Sequence, residues 1–440
     1  MIIVPLGKLV LQEVEADAPD FAGQVLKNIE KSLPKLIAPI INEYLDDEVT
    51  RFLGRKPHQR RRHCRAQESV GECSKCHTRN RQKFRRNGHY QRSLATGYGQ
   101  VRIAVPQLEC ECGGNVRYRL KTIGKGQRIW VDVQTFVQQK TAAGQSYRQI
   151  KASLDERLQS SVGLRTLNRQ VLPLGQQAAF SEQWQAGEAP PVVRVDGIWL
   201  TVMVETNDRQ TDQAGRLRPL KQARRLAILA AQGVWPHSGK TKLIAWMRAE
   251  GEDEASWRTF LEKLWESGLT PENGLKLLIS DGGSGFHAAY QKVYWMIPRQ
   301  RCVFHKLQNL ARHLTFAEDQ TRQARKELTT DFLRSASAIW QAEDKTQAME
   351  RYQAFCAQWQ TAQPQAIQTL QRDFEATLAF YDVIEQAKRE GQVWPPHLLR
   401  TTSRLERMFR EFRRRFRQAV LFHSLAGAQA ATAQLASRFS

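Results

Sequence analysis

Three apolar segments in the second half of the chain constrain its fold more than any other feature. Residues 192–205, 226–235 and 275–280 have the apolar character of buried strands. Residues 252–269, between the second and third segments, form an amphipathic helical pattern. Its apolar face comprises Trp257, Phe260, Leu261, Leu264 and Trp265. This order predicts an α/β domain with parallel strand pairing, and we interpret the basic stretch 206–225 as a long hairpin loop.

Two aspartates occupy informative positions in these segments. Asp196 lies within the first segment and precedes Gly197, which would let a metal ion or a substrate backbone approach closely. Asp281 directly follows the third segment and precedes the glycine-rich stretch 282–285. A carboxylate at the carboxyl end of a strand, followed by glycines, is typical of ligand sites in α/β sheets. The alternatives are a hairpin turn at Asp196 and a helix-capping role for Asp281.

A third acidic residue, Glu406, lies on an arginine-rich helical segment that begins after the N-capping sequence 401–403. One apolar stripe on this helix consists of Leu405, Phe409, Phe412 and Phe416. A second stripe, roughly 100° away around the axis, consists of Glu406, Arg410, Arg413 and Arg417. The alternative is a Glu–Arg ladder on a solvated face. Seven arginines and two acids occupy residues 404–417, so phosphates would neutralise the arginines better than side-chain pairing does.

The charge of the chain indicates a polyanionic partner. Its 440 residues include 66 Lys and Arg against 44 Asp and Glu, for a formal net charge of +22. No apolar run approaches the ~20 residues of a membrane span, and the N-terminal sequence does not read as a signal or transit peptide. We therefore expect a cytoplasmic protein whose partner is nucleic acid. The candidate phosphate-binding residues of the basic segment 51–92 are Arg60, Arg61, Arg62, Arg81, Lys83, Arg85 and Arg86.

Two cysteine pairs flank a predicted strand that contains Val101, Ile103 and Val105. The seven cysteines are an odd number in a large chain, which argues against a disulfide framework. The spacing within the pairs predicts two knuckles that clamp one structural Zn²⁺. The pairs are Cys73 with Cys76 and Cys110 with Cys112. The alternative is four reduced cysteines in a loop-rich module, and the possible substitute ligands are His63, Cys64, His77 and His89.

Three further regions read as helical. Residues 20–53 are predicted to be a helix that breaks at Pro34 and Pro39 and serves packing or dimerisation. Residues 146–176 contain two helical patterns around a turn signal, which predicts a helix-turn-helix or a plain helical hairpin. The residues of its second helix that would bind DNA are Arg165 and Arg169. Residues 305–395 are predicted to be helical throughout, with no strand pattern. At the start of this stretch, Cys302 and His305 are interpreted as a core pair linked by a hydrogen bond.

The ordered motifs resemble those of the Mutator-like insertion-sequence transposases, a branch of the DDE transposases with an RNase H-like catalytic fold. The matching segments are DDEVTRFLGR at 46–55, VDGIW at 195–199, EASWRTFLEKLWESGL at 254–269, ISDGGSGFHAAY at 279–290, IPRQRCVFHKLQN at 297–309 and TTSRLERMFREFRRR at 401–415. The Cys302-x-x-His305 step is a signature of this branch. The N-terminal cysteine pairs are similar to those of zinc-bearing transposase relatives.

The resemblance implies that Asp196, Asp281 and Glu406 are a catalytic triad that binds two Mg²⁺ ions, with Mn²⁺ as a substitute. It implies a prokaryotic, nucleoid-associated DNA transposase that binds terminal inverted repeats, cleaves the element ends and joins them to target DNA. The partners would be double-stranded DNA and a second copy of the chain, with no membrane. The alternatives are a domesticated DNA-binding protein that does not cut, and another RNase H-like nuclease such as a resolvase.

The fold expected from these arguments is an α/β RNase H-like catalytic domain with a long all-helical insertion, preceded by helical, small β and helix-turn-helix modules. The expected boundaries are 1–55 for the helical segment, 56–125 for the cysteine module, 126–182 for the helix-turn-helix, 192–305 and 396–440 for the two parts of the catalytic core, and 306–395 for the helical insertion.

Overall fold

The computed structural model describes residues 21–59, 71–158, 162–176, 180, 182–419 and 422–440. The chain forms two compact units, and the boundary between them lies between Val171 and Leu172. Among the described residues, no helix has both the length and the apolar character that a membrane crossing requires.

The first unit consists of a long helix, a β-hairpin with a small two-stranded sheet at its base, and three shorter helices. Its elements are α1 (Phe21–Leu53), β1 (Glu72–Cys73), β2 (Phe84–Thr96), β3 (Gly99–Cys110), β4 (Val116–Arg117), α2 (Val131–Ala142), α3 (Tyr147–Leu158) and α4 (Leu164–Val171). β2 and β3 pair antiparallel, as do β1 and β4. The predicted strand around Val101, Ile103 and Val105 is confirmed, because these side chains lie buried on β3.

The predicted breaks at Pro34 and Pro39 are wrong, because both prolines lie inside the continuous helix α1. An interior proline costs a helix about 3 kcal/mol or more. Packing against the hairpin offsets this cost: Ile41 and Leu45 of α1 are buried in one cluster with Leu94 and Ile103. The helical pair predicted within 146–176 corresponds to α3 and α4. Its role in DNA binding and the dimerisation role of α1 stay predictions.

The second unit is built on a five-stranded mixed sheet. Its strands are β5 (Val192–Thr211), β6 (Leu217–Trp235), β7 (Lys240–Ala249), β8 (Leu277–Ser280) and β9 (Arg299–Arg301). Their order across the sheet is β7-β6-β5-β8-β9. The prediction of parallel pairing holds for β5, β8 and β9 but is wrong for β5, β6 and β7, which are antiparallel. Short connections join these three strands, and tight turns can connect only antiparallel neighbours.

The basic stretch 206–225 is not the predicted loop. Most of it continues β5 and β6 as a two-stranded ribbon whose register runs to Thr211 opposite Leu217. The connecting turn is organised by Asp212, whose side chain accepts hydrogen bonds from the backbone of Ala214 and Arg216. The sequence shows no alternation of apolar and polar residues here, because side chains on both faces of the ribbon are exposed.

Helices cover both faces of the sheet. They are α5 (Glu254–Glu266), α6 (Ser284–Val293), α7 (Val303–Arg312), α8 (Arg322–Ser337), α9 (Lys345–Trp359), α10 (Pro364–Gln371), α11 (Ala379–Arg389), α12 (Pro396–Leu399), α13 (Ser403–Ala419) and α14 (Leu425–Ala436). α5 and α6 pack on one face, where Trp257 and Phe260 meet Val193 and Val195 of β5. The predicted apolar face of α5 is confirmed, with Trp265 only partly buried.

The opposite face of the sheet is divided between two groups of helices. The region from α7 to α12 is helical, as its sequence predicts. It packs on Val192 and Leu277 at one end of the face. α13 and α14 pack on Ile198 and Leu200 further along β5. Asp196 lies between Val192 and Ile198 on this same face, since strand side chains alternate with period two. It therefore lies where the two helical groups adjoin.

Candidate active site

Asp196 lies in the middle of the sheet, within β5, and not in a hairpin turn. Its residue partner on β6 is Ala230, and its side chain accepts a 2.8 Å hydrogen bond from the backbone amide of Gly197. The neighbouring strand β8 runs parallel to β5, with Val192 opposite Leu277 and Arg194 opposite Ile279. Two residues further along this register, Asp281 is level with Asp196. The sheet therefore sets the two aspartates side by side on adjacent strands.

Asp281 stands where β8 ends and the glycine-rich turn to α6 begins. Its carboxylate accepts a 3.0 Å hydrogen bond from the amide of Gly283. The turn is crowded by basic groups: the Arg301 guanidinium would lie 2.3 Å from a Cβ at Gly282. Arg299 donates to the backbone carbonyl of Asp281 at 3.1 Å. The glycines therefore permit a tight turn that leaves the Asp281 carboxylate in front of the sheet edge. From this position the same carboxylate also caps the turn, through its hydrogen bond from Gly283.

Glu406 lies in the first turn of α13, and the predicted stripes of this helix are confirmed. Leu405, Phe409, Phe412 and Phe416 are buried, whereas Arg410, Arg413 and Arg417 are exposed and Glu406 is half-buried. Among the described residues, no ion pair joins Glu406 to an arginine of its own helix. Its carboxylate instead lies 3.5 Å from Nε2 of His305.

Cys302 and His305 hold the start of the Glu406 helix. The backbone amide and the hydroxyl of Thr402 both lie 3.3 Å from the buried Cys302 Sγ. The same hydroxyl is 3.3 Å from the Glu406 carboxylate. The ligand atoms of Cys302, His305 and Glu406 all lie within 4.8 Å of one another. The predicted core pair is thus a contact network that ends at the third acidic residue.

The electrostatics show that the three acidic residues converge. Burial, followed by the charges of Asp281 and Glu406, raises the pKa of Asp196 to about 7, while His305 and the Gly197 amide oppose the shift. Burial also disfavours the charged form of His305, but the Cys302 side chain and the charges of Glu406 and Asp196 outweigh it and raise the His305 pKa to about 9. Residues from β5, the end of β8 and α13 therefore share one local field.

A fourth carboxylate, Glu252, was not identified from the sequence. Its Oε1 would lie 2.6 Å from a Cβ at Gly197, and its backbone carbonyl would lie 2.3 Å from a Cβ at Gly285. Burial raises the pKa of Glu252, the charge of Asp281 raises it further, and a hydrogen bond from the Trp199 side chain opposes the rise. Gly197 and Gly285, which belong to the two aspartate motifs, therefore make room for Glu252. These glycines are the only feature of the sequence that could have indicated it.

An arginine-lined cleft of about 310 Å³ borders Gly197 on the exposed side of α13. Its lining includes Arg225 of the ribbon together with Arg413 and Arg417 of α13. The Arg225 guanidinium also stacks over Trp199, 5.2 Å from the ring centroid. Two of the predicted phosphate-binding arginines thus line a cleft that reaches Gly197, the residue after Asp196, and Arg225 was not predicted.

Arg410 is exposed on α13 outside the lining of this cleft, and the remaining predicted DNA-binding residues lie in the first unit or outside the described residues. Arg60, Arg61 and Arg62 lie outside the described residues, as do the alternative zinc ligands His63 and Cys64. Arg81 and Lys83 belong to a 3₁₀ turn before β2. Arg85 pairs with Glu109 at 2.8 Å, and Arg86 donates a 2.7 Å hydrogen bond to Thr50. Arg165 and Arg169 are exposed on α4.

The four predicted zinc ligands lie together in the first unit. The Sγ atoms of Cys73, Cys76, Cys110 and Cys112 are all within 4.8 Å of one another. We call these four residues the cysteine cluster, and all four are free thiols. The amides of Cys76 and Lys75 donate to the Cys73 sulfur and lower the pKa of that thiol to about 6.

Comparison with known proteins gives the family. The sequence profile of "Transposase, Mutator family" matches residues 17–435. The chain is 28% identical to the transposase for insertion sequence element IS406 of Burkholderia multivorans, over 87% of this chain and 84% of that protein. It is 22% identical to the transposase for insertion sequence element IS905 of Lactococcus lactis, over 90% of this chain and 86% of that protein.

Among solved structures, a chain of the Drosophila P element transposase strand transfer complex aligns with 70% of this chain and 79% of that one. The TM-score is 0.27 at 10% identity, which supports no conclusion about the fold. The family is shown by the sequence profile, which covers nearly the whole chain. This chain belongs to the Mutator family of transposases.

Proposed function

We propose that this chain is a DNA transposase that cleaves element ends and joins them to target DNA at a centre formed by Asp196, Asp281 and Glu406. The observation that supports this most is the register of β5 and β8, which sets Asp281 level with Asp196. In agreement with it, burial and the charges of Asp281 and Glu406 raise the pKa of Asp196 to about 7. Carboxylates that repel one another in a half-buried site are arranged for cations. We call these three residues the carboxylate centre.

The strand order supports an RNase H-like fold for the second unit. Three antiparallel strands are followed by two that run parallel to the first of them, with helices between. Asp196 lies on the central strand β5, and Asp281 directly follows the neighbouring parallel strand β8, at the carboxyl end where α/β sheets bind ligands. Glu406 lies on α13, which follows the long helical region from α7 to α12. This arrangement agrees with the resemblance of the sequence motifs.

The donor set fits divalent cations that prefer oxygen, such as Mg²⁺ or Mn²⁺. Two such cations, when bound, would activate the attacking hydroxyl and stabilise the leaving oxygen of a phosphodiester. Without them, burial and the charges of the neighbouring carboxylates raise the pKa of Asp196 to about 7, so that this carboxyl is only partly ionised near neutral pH. Asp281 is held in front of the sheet by the Gly283 amide. The scaffold thus fixes two of the three carboxylates before any substrate binds.

Cys302 and His305 act as positioning residues in this proposal. Cys302 Sγ contacts both the amide and the hydroxyl of Thr402, which fixes the first turn of α13 against the start of α7. The imidazole of His305 lies beside the Glu406 carboxylate and restrains its rotamer. Groups that orient metal ligands in this way typically contribute 10–100-fold to activity.

Glu252 extends the carboxylate centre on the side of Asp281. It is half-buried, is oriented by the Trp199 side chain, and has no ion-pair partner among the described residues. Its carboxylate rests against Gly197, the residue directly after Asp196. We propose that it binds a cation of this site or orients a water bound to one.

The DNA interface of the second unit would be the cleft lined by Arg225, Arg413 and Arg417 and the basic ribbon of β5 and β6. These side chains would neutralise the phosphates next to the scissile bond. The basic surfaces of the first unit would bind the terminal inverted repeats. Pairing two element ends requires at least two active sites, which favours a dimer acting on chromosomal DNA in a prokaryotic cytoplasm.

The test is a cleavage and joining assay on a labelled duplex that carries the DNA flanking this gene, with Mg²⁺ or Mn²⁺. Wild type should give metal-dependent nicks and joined products, and Asp281→Ala should give neither while still binding the duplex. Cutting without joining would indicate a nuclease such as a resolvase. Salt-sensitive binding without cutting by the wild type would indicate a domesticated DNA-binding protein.

A further inference from the structure

We infer that the cysteine cluster binds one Zn²⁺ ion and that this ion holds the base of the β2–β3 hairpin against the end of α1. The site lies entirely in the first unit. It is independent of the carboxylate centre and of the proposed chemistry.

The first argument is the spacing of the sulfurs. Cys73 Sγ lies 3.4 Å from Cys112 Sγ, and Cys76 Sγ lies 3.7 Å from Cys110 Sγ. Four sulfurs at about 2.3 Å from a tetrahedral zinc would be about 3.8 Å apart. Each short pair joins one residue of the first knuckle to one of the second, so the two knuckles face each other across a common centre.

The second argument is the backbone of the two knuckles. In the first, the amides of Lys75 and Cys76 point at the Cys73 sulfur, 3.4 and 3.5 Å away. In the second, Gly113 adopts a φ of +75°, which lets the chain reverse after Cys112. A Cβ at Gly114 would lie 2.7 Å from Cys73 Sγ. The knuckles can approach this closely only because the second one ends in two glycines.

The third argument is ligand chemistry. Four thiolates form a soft donor set, which selects Zn²⁺ or iron over Mg²⁺ and Ca²⁺. The nearby histidines are occupied by other partners: His77 lies 2.7 Å from Glu72, and His89 lies 3.1 Å from Asp46. The four cysteines therefore complete a tetrahedral set without a histidine.

The fourth argument is that the surrounding structure needs a crosslink. β1 and β4 are two residues long each, and sheets this short are not stable alone. The buried Cys73 and Cys110 pack with Phe52 of α1 and Phe84 of β2. Arg55, just after α1, donates to the backbone carbonyl of Phe84. A metal at this point would fasten the end of α1, the small sheet and the start of the basic hairpin together.

The experiment measures metal content in the purified full-length chain by plasma mass spectrometry. Wild type should contain about one zinc per chain. Cys112→Ser, at an exposed ligand, should lose it, and so should Cys110→Ser at a buried one. The matched control is Cys356→Ser on α9 of the second unit, which should keep full zinc. Cys64→Ser should also keep it.

A second readout separates loss of zinc from general unfolding. Trp130 is the one tryptophan before Leu172, so ten of the eleven tryptophans report on the second unit. In Cys112→Ser, tryptophan fluorescence should stay native while trypsin cleaves the first unit roughly tenfold faster. The inference is overturned if wild type grown with zinc contains none, if it contains stoichiometric iron, or if Cys112→Ser retains a full equivalent.

Discussion

The carboxylate centre and the cysteine cluster are both arranged for cations, but the chain builds them in opposite ways. The four cysteines lie within residues 73–112, on two tight knuckles whose own backbone amides and glycines set the geometry. The three carboxylates span residues 196–406 and come together only because a sheet and a distant helix pack. One site is assembled locally, and the other depends on the whole fold of its unit.

The electrostatic difference is equally clear. Burial and the charges of the other two carboxylates raise the pKa of Asp196, and the Gly197 amide and His305 offset this only in part, so the second unit holds the carboxylates together against their repulsion. Folds keep such unfavourable groupings at sites where ligands bind. At the cysteine cluster, in contrast, the amides of Cys76 and Lys75 outweigh burial and lower the pKa of the Cys73 thiol. We therefore expect that replacing a metal-binding side chain lowers activity at the carboxylate centre and lowers stability at the cysteine cluster.

The largest expected effect is on catalysis. Asp196→Asn should lower cleavage by roughly 10³-fold or more, since a cation ligand supplies several kcal/mol of transition-state stabilisation. Its unfolding free energy should be equal to that of wild type or higher in metal-free buffer, because one repelling charge is removed. Cleavage kinetics and chemical denaturation, followed by tryptophan fluorescence, measure both quantities.

The matched control for that variant is Asp319→Asn, an exposed position in the loop before α8. It should change neither quantity. A large loss of stability in Asp196→Asn would break the comparison, because the carboxylate centre would then be a structural site like the cysteine cluster.

A smaller effect is expected at Glu252. Glu252→Gln should lower activity about 10–100-fold and raise the Mg²⁺ concentration needed for half-maximal cleavage. Direct Mn²⁺ binding, followed by electron paramagnetic resonance, should weaken in parallel. Glu250→Gln, two residues away and exposed, is the control. Unchanged Mn²⁺ affinity in Glu252→Gln would mean that Glu252 serves only to pack the segment against Gly197 and Gly285.

The same contrast explains how much the sequence could predict. The cysteine cluster and the stripes of α13 depend on local spacing, and the sequence indicated both. The strand pattern around Asp196 and Asp281 was also visible, because buried strands are apolar whatever their partners are. Glu252 gave no local signal, since its position depends on two glycines that are distant in the chain.

Two incorrect predictions, at the prolines of α1 and at the β5–β6 ribbon, also arise from contacts between residues that are distant in the chain. The prolines of α1 were expected to break it, but contacts with residues 94–105 stabilise the helix across them. The ribbon of β5 and β6 was taken for a loop because inter-strand hydrogen bonds, and not a buried face, hold it together. In each case a partner that is remote in the chain decides the local structure.

A third prediction concerns pH. The folded-state pKa of Asp196 is raised from 3.8 to about 7, so the folded unit binds this proton more tightly than the unfolded chain does. Its contribution to stability is therefore lost as pH rises between those values. Between pH 5.5 and 7.5 the metal-free unfolding free energy should fall by about 2 kcal/mol.

His305 acts in the same direction over the upper part of this range. Because the folded state raises the pKa of His305 to about 9, its contribution to the unfolding free energy is fully present below its ordinary pKa of 6.5. This contribution is lost as the pH rises above that value. Asp196→Asn should therefore flatten the pH dependence without removing it, and saturating Mg²⁺ should flatten it in the wild type. A pH profile identical in wild type and Asp196→Asn would show that the carboxylates do not interact as the structure indicates.

The smallest effect is expected at the arginines beside the centre. Each phosphate contact adds about 0.9 to the slope of log K against log salt. Arg417→Ala should therefore reduce that slope by about one unit and weaken DNA binding several-fold. Arg389→Ala, an exposed arginine on α11 that faces Glu385, should change neither. Cys112→Ser, by contrast, should lower the affinity for DNA at every salt concentration, because it weakens the first unit as a whole and removes no phosphate contact. If Arg417→Ala instead behaves like Cys112→Ser, then α13 supports the fold and does not contact phosphate, and the arginine stripe is a solvated helix face.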